Sequence, residues 1–288
     1  MYKIEPPVPG FVFSACYYTL AAATTLFLAN QSQADSTNPP EEAEAMSDDS
    51  SMKSIIPFEG GIELGLYLFV ANCLQVIGLQ TVESDRAGFL VQLTTVMVPI
   101  CEGIFAGSLL LIPARTWGAC VMAFLGLCIM GLDGKTNALF DDSGKSLLEA
   151  VFNFSQGDFL ILGAAVLYTL HVVRLGTYAR QTTPMKLAAS KATTESILSF
   201  ALIFLLVGLS FVQDTYQIEG LKNNGLLSFS VDTGHEITNF FSSFTAGISD
   251  GSISTTILLP AFGAVLWTGW ITCAYTIWAQ SFGQSKVR

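Results

Sequence analysis

Charge is what this sequence has least of. Asp, Glu, Lys and Arg make up 12% of its 288 residues, where a soluble domain of that length carries about 25%. The formal net charge is −10 with only 13 basic residues. That balance excludes nucleic acid as a partner, because phosphate binding needs clustered Lys and Arg. Histidine is nearly absent as well, with His171 and His235 alone. No Gly-rich phosphate loop, nucleophile elbow or metal-ligand spacing occurs, so no cofactor, metal site or catalytic constellation is expected and the chain reads as a non-enzyme. A membrane-embedded hydrolase with His171 as base would need a geometry that a sequence does not carry. The six cysteines (Cys16, Cys73, Cys101, Cys120, Cys128 and Cys273) all lie in apolar stretches, where Cys acts as a small buried hydrophobe.

What is present in excess is apolar sequence, at 51% of residues with a mean hydropathy of +0.53. A bilayer core needs about 20 mostly apolar residues per helix. Six stretches meet that length: 61–81, 86–109, 115–132, 157–179, 185–212 and 255–281. A seventh, GFVFSACYYTLAAATTLFLAN at 10–30, reads as a first spanning helix, with a signal peptide as its competitor. Its flank MYKIEPPVP pairs one Lys with one Glu, which favours the span. The expected class is an all-α, multi-pass integral membrane helix bundle in contact with lipid.

The segments between spans differ in character. Residues 31–59, with 31–54 reading QSQADSTNPPEEAEAMSDDSSMKS, form an acidic, structureless cytoplasmic loop by composition. Residues 133–156 are expected to be an extracytoplasmic loop, and 213–254 a long loop. Within the latter Ile237, Phe240, Phe241, Phe244 and Ile248 share a helical face. That face suits either a short helix in the membrane interface or a patch packed on the bundle's end. If the spans alternate, eight of the 13 basic residues fall on the side of Lys53, Arg115 and Arg180, which becomes the cytoplasmic side. The sequon at Asn153 then faces away from the cytoplasm and the one at Asn30 does not.

An internal repeat is visible at an offset of 200. Ile77 aligns with Ile277, Gln80 with Gln280, Thr81 with Ser281 and Arg86 with Lys286. After Arg86 the chain runs on through AGFLVQLTTVMVPICEGIFAG into another apolar stretch. Shortly after Lys286 it ends.

These segments resemble a known family. GLYLFVANCLQVIGLQTVESDRAGFLVQLTTVMVPICEGIFAG is similar to the third and fourth helices of EamA-type proteins in the drug/metabolite transporter superfamily. IPARTWGACVMAFLGLCIMGLD resembles the fifth and GDFLILGAAVLYTLHVVRLGTYAR the sixth. PMKLAASKATTESILSFALIFLL resembles the seventh and LWTGWITCAYTIWAQ the eighth. The resemblance covers most of residues 60–288. It implies ten helices in two inverted five-helix repeats, with a substrate site near the bilayer midplane where the halves meet. On that count 60–132 is the remainder of a first repeat and 157–288 a truncated second one, so the chain spans helices two to eight. The implied function is alternating-access movement of a small organic metabolite. The alternative is a non-transporting binding or scaffold subunit, or a non-functional fragment; homo-oligomerisation would suit either.

Polar residues inside spans are the candidate site, since they are costly in lipid and usually face a bundle interior or cavity. Asn72 and Gln75 are three apart on one helix, and Thr272 and Tyr275 are their repeat counterparts, with Thr268 a turn earlier. They line a cavity or bond helix to helix. Gln92 belongs to the same set. His171 and Arg174 are also three apart. His171 either donates to a substrate oxygen or bonds a neighbouring helix, and Arg174 is placed to snorkel. Lys191 and Glu195, four apart, permit an internal ion pair, an anion site or a proton carrier. Glu102 lies near a helix end. Trp267 and Trp270 are expected as packing or cavity wall.

Overall fold

The structure is a computed structural model that describes residues 8–35, 59–105, 107, 114–133, 155–180, 182–216, 225–249 and 255–286. Among the described residues every regular element is helical. The order is α1 (Gly10–Asp35), α2 (Glu59–Gly78), α3 (Ser84–Gln92), α4 (Thr94–Phe105), α5 (Ala114–Asp133), α6 (Gln156–Tyr178), α7 (Pro184–Tyr216), α8 (Gly225–Ser249), α9 (Thr255–Trp267), a π-helical segment (Thr268–Tyr275) and α10 (Thr276–Lys286). Among the described residues five helical stretches are long and apolar enough to cross a membrane: Gly10–Gln31, Glu59–Gly78, Ser84–Phe105, Gln156–Tyr178 and Pro184–Tyr216. Their outer faces carry large apolar side chains, with Phe204 75% and Phe211 70% exposed. Such faces suit hydrocarbon rather than water.

Local chemistry explains several helix boundaries. α6 opens with a reciprocal capping box. The Ser155 backbone N–H donates to Asp158 Oδ2 at 2.7 Å, and the Asp158 backbone N–H donates to Ser155 Oγ at 3.3 Å. α7 opens with Pro184 in its first turn, where a missing N–H costs nothing. The stretch expected as one helix over 86–109 is instead divided at Leu93. The Thr94 hydroxyl donates to the Val91 carbonyl at 2.7 Å and also reaches Ala165 O at 3.3 Å. A side chain that bonds its own preceding turn competes with the helical ladder there. The π segment has a similar cause: the Thr276 hydroxyl donates to Ile271 O, five residues back, at 3.0 Å, and to Thr272 O.

The helical face expected within the long loop over 213–254 belongs to a longer helix than a short interfacial one. α7 continues to Tyr216, and Gly225–Ser249 is a 25-residue helix packed along α7. Ile237 is fully buried there, while Phe241 is 48% exposed. Gly234 meets α7 closely enough that a Cβ would lie 2.2 Å from the Leu206 carbonyl oxygen. The polar residues Asp232, Thr233, His235 and Glu236 break the apolar run of this segment, which is why hydropathy alone does not identify a full helix. Residues 31–35 extend α1; the remainder of the acidic loop, and the loop over 134–154, lie outside the described residues.

Contacts divide the chain into two compact units, and the first draws on both ends of the sequence. That first unit comprises residues 1–65 and 179–288. In it α1 lies along α7, flanked by the π segment, α10 and α8. Its core is made of small residues and two tyrosines: Tyr17, Tyr18, Ala21 and Ala22 of α1 against Ala188 and Ala192 of α7 and Cys273, Ala274 and Ile277. Small side chains let helix backbones approach, which is the usual basis of helix association in lipid. The second unit is 66–178, where α6 packs on α3 and α4 around Val82, Ala87, Leu90 and Ile161.

Candidate functional site

α7 carries the most polar buried surface of the described chain. Ser190, Lys191, Thr194, Glu195, Ser196 and Ser199 are all buried, in a helix whose other face is apolar and exposed. Two hydroxyls are satisfied within the helix, since Thr194 donates to Ser190 O at 2.9 Å and Thr193 to Ala189 O at 2.7 Å. Ser196 is bonded across to α1, 3.0 Å from the Thr19 hydroxyl.

Lys191 and Glu195 are different. Lys191 is 0% exposed and Glu195 1%. Neither the Lys191 ammonium nor either Glu195 oxygen has a hydrogen-bond partner among the described residues. The internal ion pair that their spacing permits is therefore not closed by a hydrogen bond. Glu195 interacts with Lys191 through space and with Tyr18. Tyr17 and Cys273 stand close enough to feel its charge. The walls approach the pair closely. On the α2 side, a Cβ on Gly65 would lie 2.7 Å from Thr194 Cβ and 3.1 Å from the Lys191 carbonyl, so only glycine admits this approach. On the α1 side, Tyr17 donates to Ser14 Oγ at 3.4 Å and stacks obliquely on Tyr18 with 4.5 Å between ring centroids. A buried ionisable pair with unmet hydrogen-bonding capacity is costly, and such groups in apolar helices mark ion and substrate paths.

The other expected site residues divide between the two units. In 66–178, Gln75 accepts a 2.8 Å hydrogen bond from the Tyr168 hydroxyl, tying α2 to α6. Asn72 beside it is half-buried, and Gln92 is exposed. His171 is 2% exposed, whereas Arg174 is exposed, donates to the Tyr178 hydroxyl at 3.1 Å and lies over that ring at 5.3 Å. The two therefore do not share an environment, although their spacing suggests one. Packing on one side of α6 separates neighbours that a helical wheel groups. In the first unit, Thr272 is exposed and Tyr275 is 61% exposed. Trp267 is 67% exposed and Trp270 48%, so neither is enclosed as a wall; the Trp270 indole donates to Thr24 at 3.1 Å. The π turn rotates this stripe outward and turns Cys273 inward. Glu102 is exposed.

Several functional-looking contacts have no sequence expectation behind them. Tyr17, Tyr18 and Cys273 surround Glu195, yet each reads as an ordinary apolar-helix residue. The clasp of Arg86 on Asp158 is bidentate, at 2.7 and 2.9 Å. Its Asp158 half is signalled by the Ser-x-x-Asp capping pattern, but its Arg86 half comes from 72 residues away. Among the described residues no cluster of His, Cys, Asp and Glu could hold a metal, and Cys16, Cys73, Cys101, Cys120 and Cys273 are free thiols. No protein-family model matches the chain, and neither does any curated protein or solved structure.

Proposed function

We propose that this chain is a multi-pass membrane transporter of the EamA type within the drug/metabolite transporter superfamily, carrying a small organic metabolite by alternating access. The observation that carries the reading is the Lys191–Glu195 pair, fully enclosed in a membrane-length apolar helix without hydrogen-bond partners. A helix that served only as an anchor would gain by replacing both residues with apolar ones of similar volume. Their presence is accounted for by a cycle in which the pair is periodically opened to a polar solute. Gln75 with Tyr168, and the buried His171, supply further hydrogen-bonding capacity within the other unit.

The test is uptake. The purified chain is reconstituted into liposomes and offered an aqueous metabolite extract, and lumenal contents are compared with those of protein-free liposomes by mass spectrometry. Time-dependent enrichment of one or a few small organic solutes is expected. Binding of a solute without accumulation would identify a membrane binding or scaffold subunit instead, and neither binding nor accumulation would remove the transport reading.

A further inference from the structure

The unmet valence of the buried pair is uneven. The Lys191 ammonium has three N–H donors and none is used. The Glu195 carboxyl has the Tyr18 phenol as well as Lys191 for neighbours. What the enclosure lacks is therefore an acceptor next to Lys191.

Charge restricts what can supply it. Around the pair α1 contributes Tyr17 and Tyr18, the π segment contributes Cys273, and the α2 turns beside it carry Glu59 and Glu63. On α7 itself the remaining neighbours are the hydroxyls of Ser190, Thr194, Ser196 and Ser199. The phenols, thiol and alcohols around the pair are neutral, and the carboxylates beside it, the exposed Glu59 and the half-buried Glu63, lie where solvent reaches them, so the enclosed charge is set by Lys191 and Glu195. A site with 0% and 1% exposure tolerates a net charge of zero far better than any other.

We infer that Lys191 is the recognition point for a carboxylate group of the transported solute and that Glu195 takes up one proton as that carboxylate enters. Before entry the site holds an ammonium and a carboxylate, with net charge zero. After entry it holds the Lys191 ammonium paired with the solute carboxylate and a protonated Glu195, again with net charge zero. One proton from solvent and one anion enter together, so the movement is electroneutral. The Tyr18 phenol then donates to the carbonyl oxygen of the protonated Glu195 carboxyl. This assignment rests on the transport reading, and it names the chemical class of solute and the accompanying ion. Cation exchange against a proton is disfavoured because it would leave Lys191 neutral and still without an acceptor.

The probe is formate, the smallest carboxylate. The full chain in lipid nanodiscs is titrated with sodium formate in weakly buffered solution containing a pH indicator, and binding is followed in parallel by calorimetry. Saturable binding with uptake of one proton per chain is expected. Formamide, neutral and nearly isosteric, should give neither signal in the same unaltered protein. Lys191→Met should weaken formate binding at least about tenfold, the loss expected when a charged donor is removed. Glu195→Gln should retain binding and abolish proton uptake. Absence of saturable formate binding in the unaltered chain, binding without proton uptake, or an equal response to formamide would each overturn the inference. Because binding and protonation are read without flux, a chain that passes here but accumulates nothing in liposomes would refute transport alone. A chain that accumulates a solute yet fails here would refute only the carboxylate–proton assignment.

Discussion

Replacing Arg86 by Met should destabilise the 66–178 unit substantially, because Asp158 is a buried anion held by a single counter-ion among the described residues. The Asp158 side chain is 2% exposed and accepts from Arg86 at 2.7 and 2.9 Å and from the Ser155 backbone and hydroxyl at 2.7 and 3.0 Å. Met keeps most of the volume of the arginine stem but removes two charge-assisted bonds and the compensating charge. Breaking one half of a fully buried pair costs about 3–5 kcal/mol. The Arg86 side chain is 28% exposed, so water partly relieves the abandoned carboxylate and a lower figure of roughly 2–3 kcal/mol applies. The chain would be unfolded in detergent micelles by heat and by denaturant, for R86M, D158N, R86K and the double variant R86M/D158N. R86K should fall between wild type and R86M, because an ammonium cannot reproduce the two-pronged contact. The double variant should be less damaged than the sum of its parts, with a coupling of about 1–2 kcal/mol. A stability of R86M within about 0.5 kcal/mol of wild type, the range of a featureless surface change, would show that the clasp is incidental and that α6 is anchored by apolar contacts alone.

Other outcomes follow from particular contacts. Gly65→Val forces a side chain into Thr194 and the Lys191 carbonyl, and should cost about 1–3 kcal/mol as overpacking, read as a lowered unfolding midpoint. Tyr168→Phe removes the 2.8 Å bond to Gln75 and should cost about 1 kcal/mol in the same assay. Ser155→Ala removes the side-chain half of the capping box and should cost about 1 kcal/mol, less than R86M. Trp270→Phe, which loses only an exposed bond to Thr24, should fall within about 0.5 kcal/mol of wild type.

The helices are legible in the sequence because membrane-length apolar runs are a strong one-dimensional signal. Expected stretches such as 157–179 and 10–30 lie within a few residues of Gln156–Tyr178 and Gly10–Gln31. Hydropathy fails where a helix is amphipathic, and for that reason only the Ile237 face of α8, not its full length, is legible. It also carries no information about a π turn, and so none about the exposure of Thr272 and Tyr275 beside the buried Cys273. The buried pair on α7 is legible because Lys and Glu four apart in an apolar run are conspicuous. Their surroundings are not: Tyr17 and Tyr18 reach Glu195 from a helix some 177 residues distant in sequence, the separation of the Thr19–Ser196 contact. Arg86 illustrates the same limit. In the sequence it appears only as the repeat partner of Lys286, and tertiary structure alone brings it to Asp158.

Alternating access itself has a direct measurement at Ser199, which is 4% exposed and lies one turn beyond Glu195 on α7. A Ser199→Cys variant, with the six native cysteines replaced by alanine, would be labelled with a membrane-impermeant maleimide in right-side-out and in inside-out vesicles. If the buried face of α7 opens in turn to each side, the introduced thiol should react from both, at a rate well below that of an exposed thiol. Labelling from one side only, or from neither, would contradict transport by alternating access.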